Sequence, residues 1–575
     1  MQRNIAALTE KEFDLVIVGG GIFGACAAWD AASRGLTVAL LERGDFCQAT
    51  SANHFKIVHG GIRYLQHGDV YRIRESNRER NALLKIAPHL VQPLPILIPT
   101  YGHGFQGKEI LAAGMRLYDL LVCDRNRGLK DPARQIPSAR FVSREECLGM
   151  YPEIEQKNLT GAAIFFDGQI YNPPRLVLSF IRSAVEAGAV AGNYMEVVRF
   201  RQSGNCVYGV EVKDTLGGNE FLVRGKIVLN ATGPWAQGLL KSTSNIPFDR
   251  MFTFSRDAYF VVRRQLTNGC ALSVQGRTRD PDAIFNRGHR HLFLVPWRRY
   301  TLIGVWHVVY NGDPDQFILT EEELLAFLEE VNGACPWANL SLQDVSQQNA
   351  GLVLFGENRP GATDLKFGKR SQLIDHEKEN GVSGLLTLIG VRATTARGVA
   401  EKAVDLVVQK LCTKAPKSNT ASAPIYGGRI ERFEMFLNDI MEARPSGVSP
   451  AVMRALARNY GSEYQEVLKY LKQNPTFANT LGHFDVLKAE VVHAVRDEMG
   501  QKLGDVVFRR TDLGTGEYPG DNVLLECAWV MAKELGWDQE RVQNEIQEVK
   551  ENFPRHISQK AHEPSANKYE YSGVY

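Results

Sequence analysis

The chain has 575 residues, 44% hydrophobic and 23% charged, a length that corresponds to about three globular units. Its formal net charge of +2 and pI near 8.0 carry no electrostatic footprint for nucleic acid or for a strongly anionic partner. Nine cysteines without a CxxC pair read as reduced, packed thiols of a cytosolic-type compartment with no structural metal, and neither a signal-peptide core nor the ~18–20 apolar residues of a membrane span is present, so the expectation is a soluble or peripheral protein.

The first strong element is FDLVIVGGGIFGACAAWDAASRGLTVALLERG, residues 13–44. Phe13 and the run Leu15 to Val18 predict a buried strand, the alanine-rich stretch a helix that stops at Gly35, and Val38 to Leu41 a second strand ending in Glu42. Gly19, Gly21 and Gly24 match G-x-G-x-x-G: the first permits the tight turn, the second lets a pyrophosphate approach the backbone, and the third lets helix and strand pack closely. Phosphate then meets a helix N-terminus, and Glu42 is placed to accept from ribose hydroxyls. Dinucleotide binding follows.

Next comes FKIVHGGIRYL, residues 55–65, which crowds ionisable groups and paired glycines into an apolar stretch. The segment from 70 to 90 predicts a charge-laced helix whose arginines face solvent or form salt bridges. Pro88, Pro93, Pro95 and Pro99 mark a change of element type. The stretches 225–239 and 385–411 each predict a strand, a glycine turn and a helix, returning the chain to the first domain after excursions that include β-rich sequence such as 291–310. After Lys417 a polar linker, SNTASAP, leads into an amphipathic helical region and a tail without a core-forming pattern. The predicted class is mixed α/β and α+β: a discontinuous Rossmann-like domain (1–90, 150–245, 345–415), a β-rich substrate domain (91–149, 246–344), a helical domain (425–555) and a flexible tail (556–575).

These stretches, together with TSANHFKIVHGGIRYLQHGD, VLNATGPW, LIGVWHVVYNGDP, RALARNYGS and DVVFRRTDLG, make the chain similar to FAD-dependent glycerol-3-phosphate dehydrogenases and glycerophosphate oxidases. The resemblance implies FAD in the glycine-rich site. It implies that Lys56, His59, Gly60, Gly61, Arg63 and Tyr64 line the flavin and substrate, that Thr50 and Ser51 stand beside the FAD phosphates, and that Gly233, Gly390, Thr394 and Thr395 belong to the cofactor cradle. His59, Arg63, Tyr64 and Arg392 are the candidate catalytic groups. Oxidising a secondary alcohol moves a hydride to the flavin while the hydroxyl proton leaves, so a base titrating near neutrality is useful, and histidine has that property unperturbed. Fixed cations and donors stabilise the developing negative charge.

The sequence departs from that pattern around the substrate. Where the family carries a phosphate-holding arginine, this chain has Val353, with Arg359 a few residues later beside Pro360. The family's lysine in F-G-G-K-L-T-T-Y-R is Arg392, which exchanges a point charge for a planar fork. Arg256 and Tyr259 replace a lysine and a histidine, and Val305, Trp306 and His307 stand where relatives read T-T-D. Arg63, Tyr64, Tyr259, His307, Arg359 and Arg392 are accordingly the candidate substrate ligands. The leading expectation is oxidation of sn-glycerol 3-phosphate with electrons passed to a quinone at the inner face of the cell membrane; the alternative is a paralogous FAD oxidoreductase with another alcohol, amine or phosphorylated substrate. A flavin-binding protein with little turnover ranks last because KIVHGGIRY is intact. A homo-oligomer is left open, and residues 109–121 could lie on a bilayer or in the core.

Overall fold

The computed structural model describes residues 1–103, 107–243, 246, 252–279, 289–355, 370–554 and 556–557. The expected first unit forms around Glu12–Val18, whose run of apolar side chains is covered on both faces. This strand pairs in parallel with Val38–Leu41 on one side and Glu220–Asn230 on the other; Val190–Gly192 and Leu385–Ile389 extend the sheet, and Gln372–Asp375 closes it antiparallel. Parallel neighbours require crossovers, and the helix Ile22–Ser33 supplies the first. Its small residues let the helices Pro173–Glu186 and Ala396–Lys410 share one core with it.

A nine-stranded second sheet carries the other half of the molecule. Its division of the chain differs from the expected boundaries: Leu159–Ile170 and Val345–Phe355, assigned from sequence to the nucleotide domain, both pair here. The reason is register. Leu159–Ile170 lies antiparallel to Val91–Tyr101 from Val91↔Ile170 to Tyr101↔Leu159, and Val345–Phe355 runs along the whole of Thr253–Val262. Ile57–Val58, inside the ribbon of residues 55–65, is the edge strand of this sheet. One face packs on the helix Glu321–Ala334 through Phe260 and Phe327; the other covers the ribbon through Tyr259 and Phe55.

Beyond the linker the regular elements are helices, with two apolar cores, one around Leu456 and Tyr460 and one around Leu524 and Met531. The expected tail falls almost entirely outside the described residues. The helical domain is fastened to the nucleotide domain by buried charge: Asp45 accepts from both Nη of Arg510 (2.7 and 2.8 Å), from Arg509 Nε (2.6 Å) and from Asn193 Nδ2 (3.0 Å). Burial alone would raise the Asp45 carboxyl; the two guanidinium groups outweigh it and hold the pKa at about 2.

Candidate active site

Gly19 has φ +109, a left-handed conformation that glycine adopts without strain, and a Cβ there would stand 2.6 Å from Ala231 O. At Gly24 a Cβ would lie 1.9 Å from Gly19 O. Gly21 caps the Ile22–Ser33 helix with no side chain of its own, and Ser51 Oγ accepts from Ile22 N (2.9 Å). The remaining N–H groups of that first turn are the donors an anion would use. Glu42 accepts from Gly20 N (2.7 Å) and Gly44 N (3.0 Å), and burial raises its pKa. The predicted cradle is thus assembled: bare helix N-terminus, hydroxyl, close-packed glycines and an acid at the tip of the second strand. Those features fit the ADP half of FAD.

Thr50 is placed differently. Its Oγ1 donates to Leu352 O (2.9 Å) and accepts from Leu352 N (3.0 Å), so its hydroxyl clasps the second sheet to the nucleotide loop. Gly351 makes the clasp possible, since a Cβ there would come within 2.9 Å of Thr50 Cα. Across the cleft, Gly390 leaves room for the Phe23 ring, which a Cβ would meet at 1.8 Å. Thr394 and Thr395 are buried in the turn entering the Ala396–Lys410 helix, and Gly233, at φ +60, starts the corresponding turn after Glu220–Asn230.

The ribbon from Lys56 is held by a buried polar scaffold. Gly60 N donates to Asp167 Oδ1 (2.6 Å), and Gly60 O accepts from Asn77 Nδ2 (2.5 Å) and Tyr118 Oη (3.1 Å). Arg80 binds Asp167 Oδ1 (2.7 Å), Phe166 O (2.8 Å) and Asn77 Oδ1 (2.6 Å). A Cβ on Gly60 would lie 2.3 Å from Arg80 Nη1, so this glycine is needed for the approach. None of these partners was singled out from sequence. The helix Val70–Ile86 was expected to show its charges to water, yet Arg80 and Glu79 are fully buried. The signal was present as spacing: Ile73, Ser76, Asn77, Arg80, Leu83 and Leu84 share one face of the helix.

Lys56 is buried at φ +60, with Nζ bonded to Tyr259 Oη and standing 4.7 Å from the Tyr259 and Trp297 ring centroids. Burial, with help from Arg298, pushes its pKa down to about 7. Tyr259 therefore stands with Lys56 behind the ribbon and does not line the cavity of about 100 Å³ beside Arg63. Arg256 is turned to the opposite face of its strand, where it bonds Glu323 and Ile318 O (2.8 Å); strand alternation separates it from Ser255 and Asp257. Arg359 lies outside the described residues.

Arg392 is brought to the ribbon as expected from the motif: Nη1 donates to Tyr64 Oη (3.3 Å) and Ser76 Oγ (3.1 Å), Nη2 to Glu75 (3.2 Å). The His59 and Tyr64 rings meet edge to face, 5.8 Å apart. His59 does not have the environment of a base titrating near neutrality: burial first, then Arg392, Arg80 and Arg63, pushes its pKa down to about 3. Arg63 lines a cavity of about 100 Å³ together with His291, Phe293, Trp306, His307 and Glu330.

Comparison with known proteins covers both halves of the chain. Residues 14–406 match the FAD dependent oxidoreductase family and residues 418–542 the C-terminal domain of alpha-glycerophosphate oxidase. A Synechocystis protein named glycerol-3-phosphate dehydrogenase is 32% identical over 96% of this chain and 98% of its own length. The human mitochondrial glycerol-3-phosphate dehydrogenase is 30% identical over 93% of this chain and 72% of its length. Among solved structures, the glycerol-3-phosphate dehydrogenase from Bacillus halodurans complexed with FAD superposes with a TM-score of 0.74 and 25% identity, covering 95% of this chain and 96% of that one.

Proposed function

Because the chain belongs to the FAD-dependent glycerol-3-phosphate dehydrogenase family, we propose that it oxidises sn-glycerol 3-phosphate to dihydroxyacetone phosphate and passes the electrons to a quinone. FAD supplies the hydride acceptor. In this reading Gly19, Gly21, Gly24, Glu42 and Ser51 hold its ADP half. The ribbon Lys56 to Gly61 and the turns at Gly233 and Gly390 to Thr395 hold the ring. The missing Cβ of Gly60 makes room for Arg80 and Tyr118, which with Asp167 fix the ribbon from behind. Arg63, Tyr64 and Arg392 orient the substrate and offset charge on its oxygen, while His59, kept neutral by burial first and then by its arginine neighbours, orients the alcohol.

The observation that most supports the reading is the meeting of Arg392, from the far end of the nucleotide domain, with Tyr64 and Ser76 beside the paired glycines. A second reading, a different phosphorylated or unphosphorylated alcohol, is favoured by Val353, which sits opposite Ser255 in the wall strand where the family resemblance calls for a cation. For the acceptor, no helix among the described residues is long and apolar enough to cross a membrane. The helix Lys108–Leu121 buries Met115 and Tyr118 while exposing Leu117 and Leu120, which supports peripheral contact with the cytoplasmic face of a membrane, where a quinone would be reached. The FAD-loaded protein mixed anaerobically with sn-glycerol 3-phosphate should lose its flavin absorbance within the mixing experiment; a flavin that bleaches only on photoreduction would reject this substrate.

A further inference from the structure

We infer that His307, held by Asp257, is the group that takes the hydroxyl proton of the substrate. The assignment rests on the alcohol-oxidation reading above and changes which histidine does the work.

The geometry sets the two histidines apart. His307 Nδ1 lies 2.8 Å from Asp257 Oδ1, and Ser255 Oγ donates to the same oxygen at 2.5 Å. A carboxylate on Nδ1 fixes the ring orientation and the tautomer, makes Nε2 the basic nitrogen and stabilises the imidazolium that forms. Among the described residues the charges that act on His59 are the three guanidinium groups of Arg392, Arg80 and Arg63, so a proton placed there meets repulsion.

Position agrees with chemistry. Asp257 is opposite His307 in one neighbouring strand and opposite Gly351 in the other, so the three share one face of the sheet. Gly351 is the residue pressed against Thr50, which makes this the face that covers the nucleotide loop. The strands His289–Trp297 and Tyr300–Tyr310 pair from Trp297↔Tyr300 to Phe293↔Gly304 and then part. The cavity opens beyond that point, with His291 and Phe293 on one strand, Val305 to His307 on the other, and Arg63 and Glu330 completing its polar lining. About 100 Å³ is room for roughly three waters, or for the alcohol end of a small polyol.

In the step assigned here, the substrate O–H breaks and its proton goes to His307 Nε2. The carbon–oxygen double bond forms, and the carbinol C–H leaves with its electron pair as hydride to FAD. The alcohol is oxidised by two electrons, FAD is reduced by two, and His307 passes the proton to solvent. Asp257 and Ser255 are positioning residues.

The test uses FAD-loaded wild type, His307→Gln, Asp257→Asn and His59→Gln, with the rate of anaerobic flavin reduction by sn-glycerol 3-phosphate followed against pH. His307→Gln should retain FAD, slow reduction by about 10²–10⁴-fold and abolish the rise of rate with pH. Asp257→Asn should slow it as well, and His59→Gln should keep the pH-dependent limb. Loss of the limb in His59→Gln with its retention in His307→Gln overturns the proposal. The second readout is ¹⁵N-histidine NMR at fixed pH: the resonances missing from His307→Gln should report a proton on Nδ1, and Asp257→Asn should shift them. A resonance that ignores the Asp257→Asn change also overturns it. Failure of the wild type to be reduced, with the NMR signature of the Nδ1 contact as expected, would reject the substrate and leave the His307–Asp257 pair standing.

Discussion

At the Gly19 to Gly24 turn the contacts come from backbone: absent Cβ atoms, a bare helix N-terminus and a single hydroxyl from Ser51. At the cavity wall they come from side chains on strands far apart in sequence, with Asp257 reaching His307 fifty residues on and Arg63 arriving from another element. A backbone-made site tolerates change in its side chains and fails when a methyl is added. A side-chain-made wall behaves in the opposite way, which is why the nucleotide motif is intact while Val353, Trp306 and His307 depart from the family pattern.

Gly24→Val should break the first region outright. Its Cβ would lie 1.9 Å from Gly19 O, so the purified protein should carry no flavin absorbance, whereas wild type carries it. The same experiment with His307→Gln should leave FAD in place.

The joint between the nucleotide domain and the helical domain is the next largest lever. Arg510→Met removes a bidentate partner from Asp45, whose side chain is 0% exposed, and breaking a buried pair costs about 3–5 kcal/mol. A lowered denaturant midpoint should record it. Asp45 stands three residues after Glu42, so weaker FAD retention is expected alongside.

Acid should expose the buried ribbon. His54, His59 and His89 each have folded pKa values pushed down to about 3 from 6.5, by burial first. The unfolded chain therefore binds more protons than the native one between those values, and stability falls as pH drops from 6.5 toward 3. Lys56, lowered from 10.5 to about 7, has the same sign higher up: stability rises with pH from 7 to 10.5. In the apoprotein Lys56→Met should flatten that upper slope, as measured by urea unfolding at several pH values.

The smallest effect is expected at Arg392→Lys. The charge remains while the fork that spans Tyr64, Ser76 and Glu75 is lost. KM for the substrate should rise about tenfold, equivalent to ~1.4 kcal/mol, with FAD content unchanged. Unchanged kinetics would remove Arg392 from the substrate's surroundings.

The nucleotide half was legible because its signals are local. Strand, glycine turn, helix and acid follow each other within 13–44, and the backbone conformation they need is written in residue type. The ribbon was legible as a concentration of polar groups, but its scaffold was not: Arg80 and Asp167 are 87 positions apart, and a charge-rich helix reads as solvated until a partner strand covers it. Arg256 was misread for a related reason, since period-two alternation fixes which residues share a face without saying which face meets the ribbon.

By itself the sequence determined the order of elements, the dinucleotide turn and the family, all properties of contiguous residues and their spacing. Tertiary structure alone decided that Leu159–Ile170 and Val345–Phe355 join the second sheet, that Thr50 clasps Leu352, and that His307 meets a carboxylate where His59 meets three guanidinium groups. The reason is electrostatic. The basicity of a histidine is set by burial and by charges within a few ångströms, and those neighbours come from strands and helices that only folding brings together.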